Sequence, residues 1–418
     1  MTPSFEFSFA LKNKRMNSLE LFAGAGGLAM GMANAGFHHC GLVEWNQYAC
    51  QTIRENPQRY SDAEGGWPLH ERDARTVDYR AIGEDVVVIS GGPPCQPFSL
   101  GGKHGGHLDE RDMFPEAVRS VRELKPKAFV FENVKGLLRQ SFATYLRYIT
   151  LQLTHPDIER RKGETWEDHL GRLERQSASG KHSAGSYRVG YQLLNAANYG
   201  VPQKRERVFI IGFRADLKIE PSFPEKTHSE EALLRSQWIT NEYWNRHKIA
   251  AKDRPTLNPR IATRVAKLAT FDLDSVPLPW MTVRDAITDL PDPERYPNNG
   301  IRNHTFIPGA RSYAGHTGSP LDEPSKTLKA GDHGVPGGEN MILKPDGTIR
   351  YYTVREAARI QTFPDDYVFH GSWGEIMRQL GNAVPVKLAE AVARHVANQL
   401  ASYVENIDLS KESLLLAS

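Results

Sequence analysis

The fold is decided by residues 19–29, whose sequence is LELFAGAGGLA. An apolar strand, a glycine turn and the start of a helix follow one another here. The glycines allow a tight turn and close approach to a ligand, and the first helical turn offers free N–H groups. Glu44 ends the next predicted strand, where a carboxylate can accept hydrogen bonds from ribose hydroxyls. The pattern predicts an adenosine-containing cofactor, NAD or S-adenosylmethionine, with a purely structural turn as the alternative.

The first half of the chain alternates short apolar runs with helical patterns. The runs are rich in β-branched and aromatic residues and are bounded by glycine, proline or charge, as buried strands are. They cover residues 19–22, 41–44, 86–90, 128–132 and 208–213, and a helix is predicted over 113–124. This alternation predicts an α/β fold with a mostly parallel, Rossmann-like sheet. Ligands of such sheets bind at the carboxyl ends of the strands.

Three segments are predicted along the chain. Residues 1–215 form a catalytic and cofactor-binding domain, with an exposed insertion at about 156–185 that is charged and then rich in serine and glycine. Residues 216–340 show little periodicity and predict a second, irregular domain. Residues 341–418 include a helix that we expect to complete the first domain. Its apolar stripe consists of Val384, Leu388, Val392, Val396 and Leu400.

Composition excludes few classes of function. The net charge of +2 and the pI near 8.3 do not decide for or against nucleic acid, because binding depends on where charge lies. No apolar stretch approaches the roughly eighteen residues that span a bilayer, and the first fifteen residues do not resemble a secretory signal. Three cysteines are too few for a disulfide framework or a zinc cluster. We expect a cytoplasmic protein with no metal site.

One local charge bias stands out. Residues 244–267 hold seven lysines and arginines against a single acid, Asp253. Such a run fits a solvated helix face or a phosphate-binding surface, and composition alone does not choose between them.

A second motif follows the apolar strand at 86–90. Residues 90–99 have the sequence SGGPPCQPFS, in which two glycines and two prolines precede Cys95. These residues fix an unusual backbone path and present the thiol at the carboxyl edge of the sheet. A lone cysteine is more often a small buried hydrophobe. Its setting among glycine, proline and glutamine favours a reactive thiol instead.

With these motifs in place, the chain resembles the DNA (cytosine-5)-methyltransferases, of the kind found in bacterial restriction–modification systems. Residues 92–99 are similar to the catalytic loop of that family, and other blocks follow in the family's order. They are residues 22–27, 44–45, 111–114, 131–134, 203–207, 350–364 and 381–385, together with Asp73. The resemblance implies S-adenosylmethionine as cofactor. It implies a cofactor site made of Phe22, Gly24, Gly26, Gly27, Glu44, Trp45, Asp73, Ala74, Pro94, Met113 and Asn382.

The implied chemistry explains why these residue types are needed. Carbon 5 of cytosine is a poor nucleophile, and addition of the Cys95 thiolate at carbon 6 makes it enamine-like. An acid must then protonate ring nitrogen 3, and Glu132 fits if burial raises its pKa. The resemblance places Arg207 near the target ring and Arg205 near the DNA or the catalytic loop. A surface cap for Glu132 and ordinary surface charge for the arginines are the alternatives.

Duplex DNA is the expected substrate, and the target base must leave the stack to be reached. Residues 99–106 are glycine-rich and basic, and they are typical either of a mobile loop over flipped DNA or of a plain linker. By resemblance, residues 216–340 are the target-recognition domain, which favours phosphate binding for the basic window at 244–267. The predicted DNA contacts are Gln96, Ser99, Lys103, Arg246, Lys248, Arg260 and Arg264.

Three alternatives remain open. An NAD-dependent oxidoreductase explains the glycine turn and Glu44 but leaves Cys95 without a role. A binding-only regulator would keep the fold without the chemistry, and intact Cys95 and Glu132 argue against it. An RNA cytosine-5 methyltransferase would use the same mechanism. We further expect that the protein acts as a monomer, without a membrane partner, beside a possible cognate restriction endonuclease.

Overall fold

The apolar runs of the first half do become strands of one sheet. In this computed structural model the described residues are 15–57, 66–83, 85–94, 112–180, 183, 185–270, 277–312, 317–330 and 340–416, with side chains described as far as 403. The predicted site residues Cys95, Gln96, Ser99 and Lys103 lie outside them.

A seven-stranded sheet forms the centre of the first half of the chain. Its strands are β1 (Met16–Leu21), β2 (Phe37–Glu44), β3 (Leu69–Glu71), β4 (Val88–Gly91), β5 (Ala128–Val134), β6 (Tyr187–Asn195) and β7 (Glu206–Arg214). The strand order is β3-β2-β1-β4-β5-β7-β6. Strands β1 to β5 pair in parallel, and β7 runs antiparallel to β5. The predicted mostly parallel sheet is confirmed, with the strand order reversing direction between β1 and β4.

Twelve α-helices occur among the described residues. They are α1 (Gly27–Asn34), α2 (Gln47–Arg54), α3 (Phe114–Leu124), α4 (Ala143–Thr154), α5 (Trp166–Ala178), α6 (Glu230–Trp238), α7 (Glu242–Arg246), α8 (Pro259–Leu268), α9 (Val283–Ile287), α10 (Val354–Ile360), α11 (Trp373–Asn382) and α12 (Val386–Leu416). Helix α3 matches the predicted helix at 113–124. Helix α12 contains the predicted C-terminal stripe from Leu388 onward and buries it, while Val384 precedes the helix.

The described chain divides into two compact units. The first comprises residues within 1–194, 206–224 and 389–418, and the second those within 195–205 and 225–388. In the first unit, α1 packs closely on α12, since a Cβ at Gly31 would lie 2.3 Å from that of Ala389. Leu19, Ile89 and Phe129, on the three central strands, are completely buried. Strands buried on both faces explain why the sequence shows continuous apolar runs there.

The predicted insertion at 156–185 is more ordered than the sequence suggested. Helix α5 lies within it and buries Leu173 and His169. The His169 ring bonds on one side to the Tyr148 hydroxyl of α4 and on the other to the carbonyl of Ile158, at 2.8 and 2.7 Å. These contacts tie the segment to the first unit. The charged composition misled the prediction because only one side of α5 is buried.

The second unit is less irregular than predicted. Four helices, α6 to α9, lie within residues 216–340, and their lengths of 5 to 10 residues are too short to show a clear period. Its short strands are β8 (His228–Ser229), β9 (Leu278–Pro279), β10 (Ser319–Pro320), β11 (Met341–Leu343) and β12 (Ile349–Tyr351). An aromatic cluster is centred on Tyr243, Trp244 and Trp280.

Residues 341–388 group with the second unit, whereas the sequence prediction assigned them to the first. The reason is a set of buried bonds between distant residues. Nε of Arg355, on α10, donates to the carbonyl of Arg302 at 3.3 Å across 53 residues of sequence. The amide of Gln203 donates to Gln361 at 2.8 Å across 158 residues of sequence. Polar pairings of this range leave no periodic signal in the sequence.

Among the described residues, no helix is long and apolar enough to cross a membrane.

A buried carboxyl on β1 makes stability depend on pH. Glu20 is 1% exposed, and burial raises the pKa of its carboxyl to about 8, although the Ser90 hydroxyl donates to it at 3.0 Å. An unfolded chain releases this proton near pH 4.3. The stability that the neutral carboxyl contributes is therefore complete below about pH 4.3 and is lost as pH rises to about 8.

We expect the stability of Glu20→Gln, whose side chain cannot ionise, to rise relative to that of the parent protein as pH rises. The difference in free energy of unfolding should shift towards the variant by up to about 1.4 kcal/mol per pH unit and level off above about pH 8. Urea unfolding of both proteins between about pH 5 and 9 measures it. Parallel stability curves would contradict the assignment of a neutral Glu20.

Candidate active site

The glycine turn after β1 is held by the carboxylate at the end of β2. Gly24 and Gly26 both have positive φ, 54° and 80°, which glycine adopts without strain. The N–H of Gly24 donates to Oε2 of Glu44 at 2.8 Å. The other oxygen, Oε1, accepts the N–H groups of Trp45 and Asn46 at 2.9 and 2.7 Å. Glu44 is thus fixed beside the turn, as a ribose-binding carboxylate must be.

The other predicted cofactor residues of the first unit lie on strand ends or helix starts. Gly27 begins α1, and Phe22 precedes the turn with a φ of 57°. Trp45 is 71% exposed, which leaves its indole ring available for stacking. Ala74, the residue after Asp73, is buried. The Asp73 carboxylate accepts hydrogen bonds from Arg75, and these lower its pKa.

The backbone at the end of β4 is held from two directions. The amide of Asn133, at the end of β5, donates to the carbonyl of Pro93 at 3.0 Å. The N–H of Met113 donates to the carbonyl of Pro94 at 3.4 Å. Pro94 and Met113 flank residues 95–111, so the described residues on either side of that stretch are joined directly. No separate role for Asn133 is predicted from the sequence, and its bond to Pro93 is visible only in the structure.

Glu132 and Arg207 form a buried ion pair across β5 and β7. Nε of Arg207 lies 2.8 Å from Oε1 of Glu132, and both side chains are about nine-tenths buried. Burial lowers the pKa of the Arg207 guanidinium, and the Glu132 carboxylate opposes that shift. A Cβ at Gly92 would lie 3.3 Å from Oε2 of Glu132, so the carboxyl lies against the start of the Cys95 loop. Glu132 is therefore a buried, oriented carboxyl and not a surface cap.

Arg205 belongs to the second unit and is completely buried. Its guanidinium donates to the carbonyls of Leu328 and Gly381, at 3.0 and 2.7 Å. These bonds tie two distant backbone segments of that unit together. The guanidinium is fully buried in the structure, and the place of Arg205 near the DNA or the catalytic loop stays a prediction. Asn382, the last residue of α11, is exposed on the same unit.

The predicted DNA-binding cations fall into two groups. Arg246 pairs with Asp285 at 2.7 Å, and Arg264 pairs with Glu230 at 2.9 Å. Among the described residues, no carboxylate lies within salt-bridge distance of Arg260 or Lys248. Arg260 and Lys248 are therefore better placed to neutralise phosphate charge than Arg246 and Arg264.

Of the three cysteines, the structure describes Cys40 and Cys50, and neither thiol is suited to act as a nucleophile. Cys50 is fully buried, and burial raises the pKa of its thiol to about 12. The Cys40 thiol donates to the carbonyl of Ser18 at 3.1 Å, and burial also raises its pKa. Both thiols stay protonated near neutral pH and are poor nucleophiles.

Comparison with known proteins identifies the family that this geometry belongs to. Residues 16–156 and 171–398 match the family described as C-5 cytosine-specific DNA methylase. The chain is 33% identical to the Type II methyltransferase M.PspPI of Psychrobacter sp. (strain TA137), over 94% of this chain and 81% of that one. It is 31% identical to the Type II methyltransferase M.NgoMIV of Neisseria gonorrhoeae, over 92% and 98%.

A solved structure shares the fold. The Dnmt2 methyltransferase of S. pombe superposes with a TM-score of 0.53 over 92% of this chain and 99% of that one, at 16% identity. At that identity the likeness concerns the fold alone.

Glu44 offers a test of the cofactor site. We expect Glu44→Gln to weaken binding of S-adenosylhomocysteine by about 10- to 100-fold, because hydrogen bonds to a charged group are worth roughly 1.5–3 kcal/mol. Isothermal titration calorimetry measures the dissociation constant. Glu71→Gln is the matched control, since Glu71 is the register partner of Glu44 on β3 and pairs with Arg54 at the surface. Equal affinity in both variants would exclude Glu44 from the site.

Proposed function

The chain belongs to the C-5 cytosine-specific DNA methylase family, and from this premise we propose which of its residues carry out each step of the reaction. It is a DNA (cytosine-5)-methyltransferase that uses S-adenosylmethionine. The comparisons support this function and not the NAD-dependent or RNA-directed alternatives. The observation that carries the proposal is the buried pair of Glu132 and Arg207 beside Gly92, at the carboxyl edge of the sheet.

Cys95 is the proposed nucleophile. It directly follows Pro94, whose carbonyl is held by Met113, and the two described cysteines are poorly suited to the role. Its thiolate would add to carbon 6 of cytosine, so that the ring loses its aromaticity and carbon 5 becomes nucleophilic. After methylation, carbon 5 loses its proton to solvent and the bond to sulfur breaks, which regenerates the thiolate and returns the proton on ring nitrogen 3 to Glu132.

Glu132 is the proposed acid at ring nitrogen 3, and Arg207 holds it in place. As the proposed acid, Glu132 would donate a proton or a hydrogen bond to ring nitrogen 3 as electrons enter the ring. Nε of Arg207 forms its ion pair with Oε1, while Oε2 lies nearer Gly92, at the start of the loop that carries Cys95. Arg205 acts indirectly in this proposal, by holding the backbone at Leu328 and Gly381.

The cofactor lies in the glycine turn in our proposal. The turn, the fixed Glu44 carboxylate and the exposed Trp45 suit the glycine, ribose and adenine contacts that an adenosyl group needs. When bound, S-adenosylmethionine supplies an electrophilic methyl group on its sulfonium. Asp73, Ala74, Pro94, Met113 and Asn382 complete the proposed set, in which Asp73 faces the adenine amine.

Residues 216–340 are proposed to read the DNA sequence, with Arg260 and Lys248 on phosphate groups. Their freedom from ion pairs within the described residues supports this role. Arg246 and Arg264 would have to leave Asp285 and Glu230 to bind DNA. Gln96, Ser99 and Lys103, which follow or neighbour Cys95 in sequence, are proposed to contact the flipped nucleotide.

We place the enzyme in the cytoplasm, in a restriction–modification system with a cognate endonuclease, and acting as a monomer. The Type II names of the relatives support the system.

The nucleophile is tested by methylation of mixed-sequence duplex DNA with methyl-labelled S-adenosylmethionine. We expect 5-methylcytosine, identified by mass spectrometry, from the parent protein and none from Cys95→Ala, because no other thiol can form the adduct. Cys40→Ala is the matched control and should keep full activity. Label in the DNA of Cys95→Ala would exclude Cys95, and label in RNA alone would overturn the duplex substrate.

The acid is tested by Glu132→Gln and Arg207→Lys. We expect either change to lower kcat by about 10²–10⁴-fold, the usual contribution of general acid catalysis, with little change in S-adenosylhomocysteine affinity. Lysine keeps the charge of Arg207 but not the planar fork that orients Glu132. Glu206→Gln is the control, because Glu206 neighbours Arg207 yet pairs with the exposed Lys135. Near-normal kcat in Arg207→Lys would show that the pair is structural.

A further inference from the structure

We propose that Tyr145 is a positioning residue for methyl transfer. Its hydroxyl holds Asp112 and, through the neighbouring Met113, the backbone of Pro94 that leads into Cys95. This inference rests on the proposed function of Cys95 and Glu132, and it assigns a role to a residue outside the motifs of the sequence analysis.

Tyr145 lies on α4 and is 8% exposed. Its hydroxyl donates a short hydrogen bond to Oδ2 of Asp112. The other oxygen, Oδ1, accepts the N–H of Phe114 at 3.1 Å. The carboxylate is therefore bonded on both oxygens, once to α4 and once to the first turn of α3. Bonds to an ionised acceptor are the stronger kind, so the position of Asp112 is well defined.

Met113, the residue after Asp112, connects it to Pro94, which precedes the proposed nucleophile. Met113 is largely buried and Phe114 almost completely so, which fixes the start of α3 in the core of the first unit. From that position the N–H of Met113 donates to the carbonyl of Pro94 at 3.4 Å. Because this hydrogen bond is long, it depends on the position of Met113. Displacement of Asp112 would thus move or break the contact beside Cys95.

One continuous segment, residues 128–154, supplies the donors to Pro93 and Asp112. It contains Glu132, the proposed acid, and Asn133, which donates to the carbonyl of Pro93. Tyr145 follows on α4, 12 residues after Asn133, and bonds to Asp112, the residue just past the 95–111 stretch. Residues at both ends of that stretch are therefore bonded to the segment that begins with β5, the strand of Glu132. We infer that Tyr145 sets the position of the thiol relative to Glu132.

Tyr145→Phe removes the hydroxyl and keeps the ring in the core. We expect kcat and the single-turnover rate of methyl transfer to fall by about 10- to 100-fold, because a misplacement of 1 Å can lower a rate about 100-fold. The dissociation constant of S-adenosylhomocysteine and the KM for DNA should change less than threefold. The rate of adduct formation with 5-fluorocytosine DNA should fall in parallel with kcat.

Tyr148→Phe is the matched control. Tyr148 lies on the same helix, is similarly buried, and donates its hydroxyl to His169 on α5, which has no part in the proposed chemistry. Both variants lose one buried hydroxyl bond, and their melting temperatures should fall alike. Only Tyr145→Phe should lose rate. Equal rates in the two variants, whether both are normal or both are reduced, would overturn the proposal.

A double-mutant cycle tests the route through Asp112. Asp112→Ala removes the carboxylate that accepts the Tyr145 hydroxyl, together with its bond to the Phe114 N–H. We expect the double variant Asp112→Ala/Tyr145→Phe to be no slower than Asp112→Ala alone, because the bond that Tyr145→Phe removes is already absent there. Additive losses of rate would overturn the route. Failure of the proposed function is separate: it shows as an active Cys95→Ala, whereas a fully active Tyr145→Phe with an inactive Cys95→Ala refutes the present inference alone.

Discussion

The register of three buried strands governs the rest of this structure. β1, β4 and β5 pair so that Leu21, Gly91 and Phe131 stand side by side. The residues that follow them are Phe22, Gly92 and Glu132. Phe22 leads into the glycine turn, Gly92 leads into the loop that carries Cys95, and Glu132 places a carboxyl at the same edge of the sheet. The spacing is tight, because a Cβ at Gly91 would lie 2.6 Å from the carbonyl oxygen of Leu21. A shift of register by one residue would turn every one of these side chains to the other face.

Buried charge is used differently in the two units. In the first, Arg207 and Glu132 are taken out of water beside the loop that carries Cys95, which is a weak way to gain stability because desolvation offsets much of the attraction. The pair places an oriented carboxyl near the end of β5. In the second unit, Arg205 is completely buried and donates to the backbone carbonyls of Leu328 and Gly381. Two arginines separated by one residue therefore have different partners, a carboxylate for Arg207 and backbone carbonyls for Arg205.

The sequence was informative where structure depends on neighbours along the chain. Continuous apolar runs identified β1, β4, β5 and β7, and the glycine and Pro-Cys motifs identified the turns at their ends. Strands β3 and β6 were missed, because β3 has three residues and β6 is half-exposed with a glycine at its centre. The burial of Arg205 and the grouping of residues 341–388 depend on bonds that span more than a hundred residues. The link from Tyr145 to Asp112 likewise crosses 33 residues and has no local pattern.

The close packing of Gly31 on Ala389 has a consequence for how the protein is made. Helix α1 follows the glycine turn and packs early on β2, but it also packs on α12, where Asn34 bonds to Glu390 at a separation of 356 residues. Ribosomes add about 5–20 residues per second, so roughly 20–70 s pass between synthesis of the two surfaces. Throughout that interval the side of α1 that later packs on Ala389 lacks this contact. The packing of α1 on α12 is therefore completed only after residues 225–388 of the second unit have been translated.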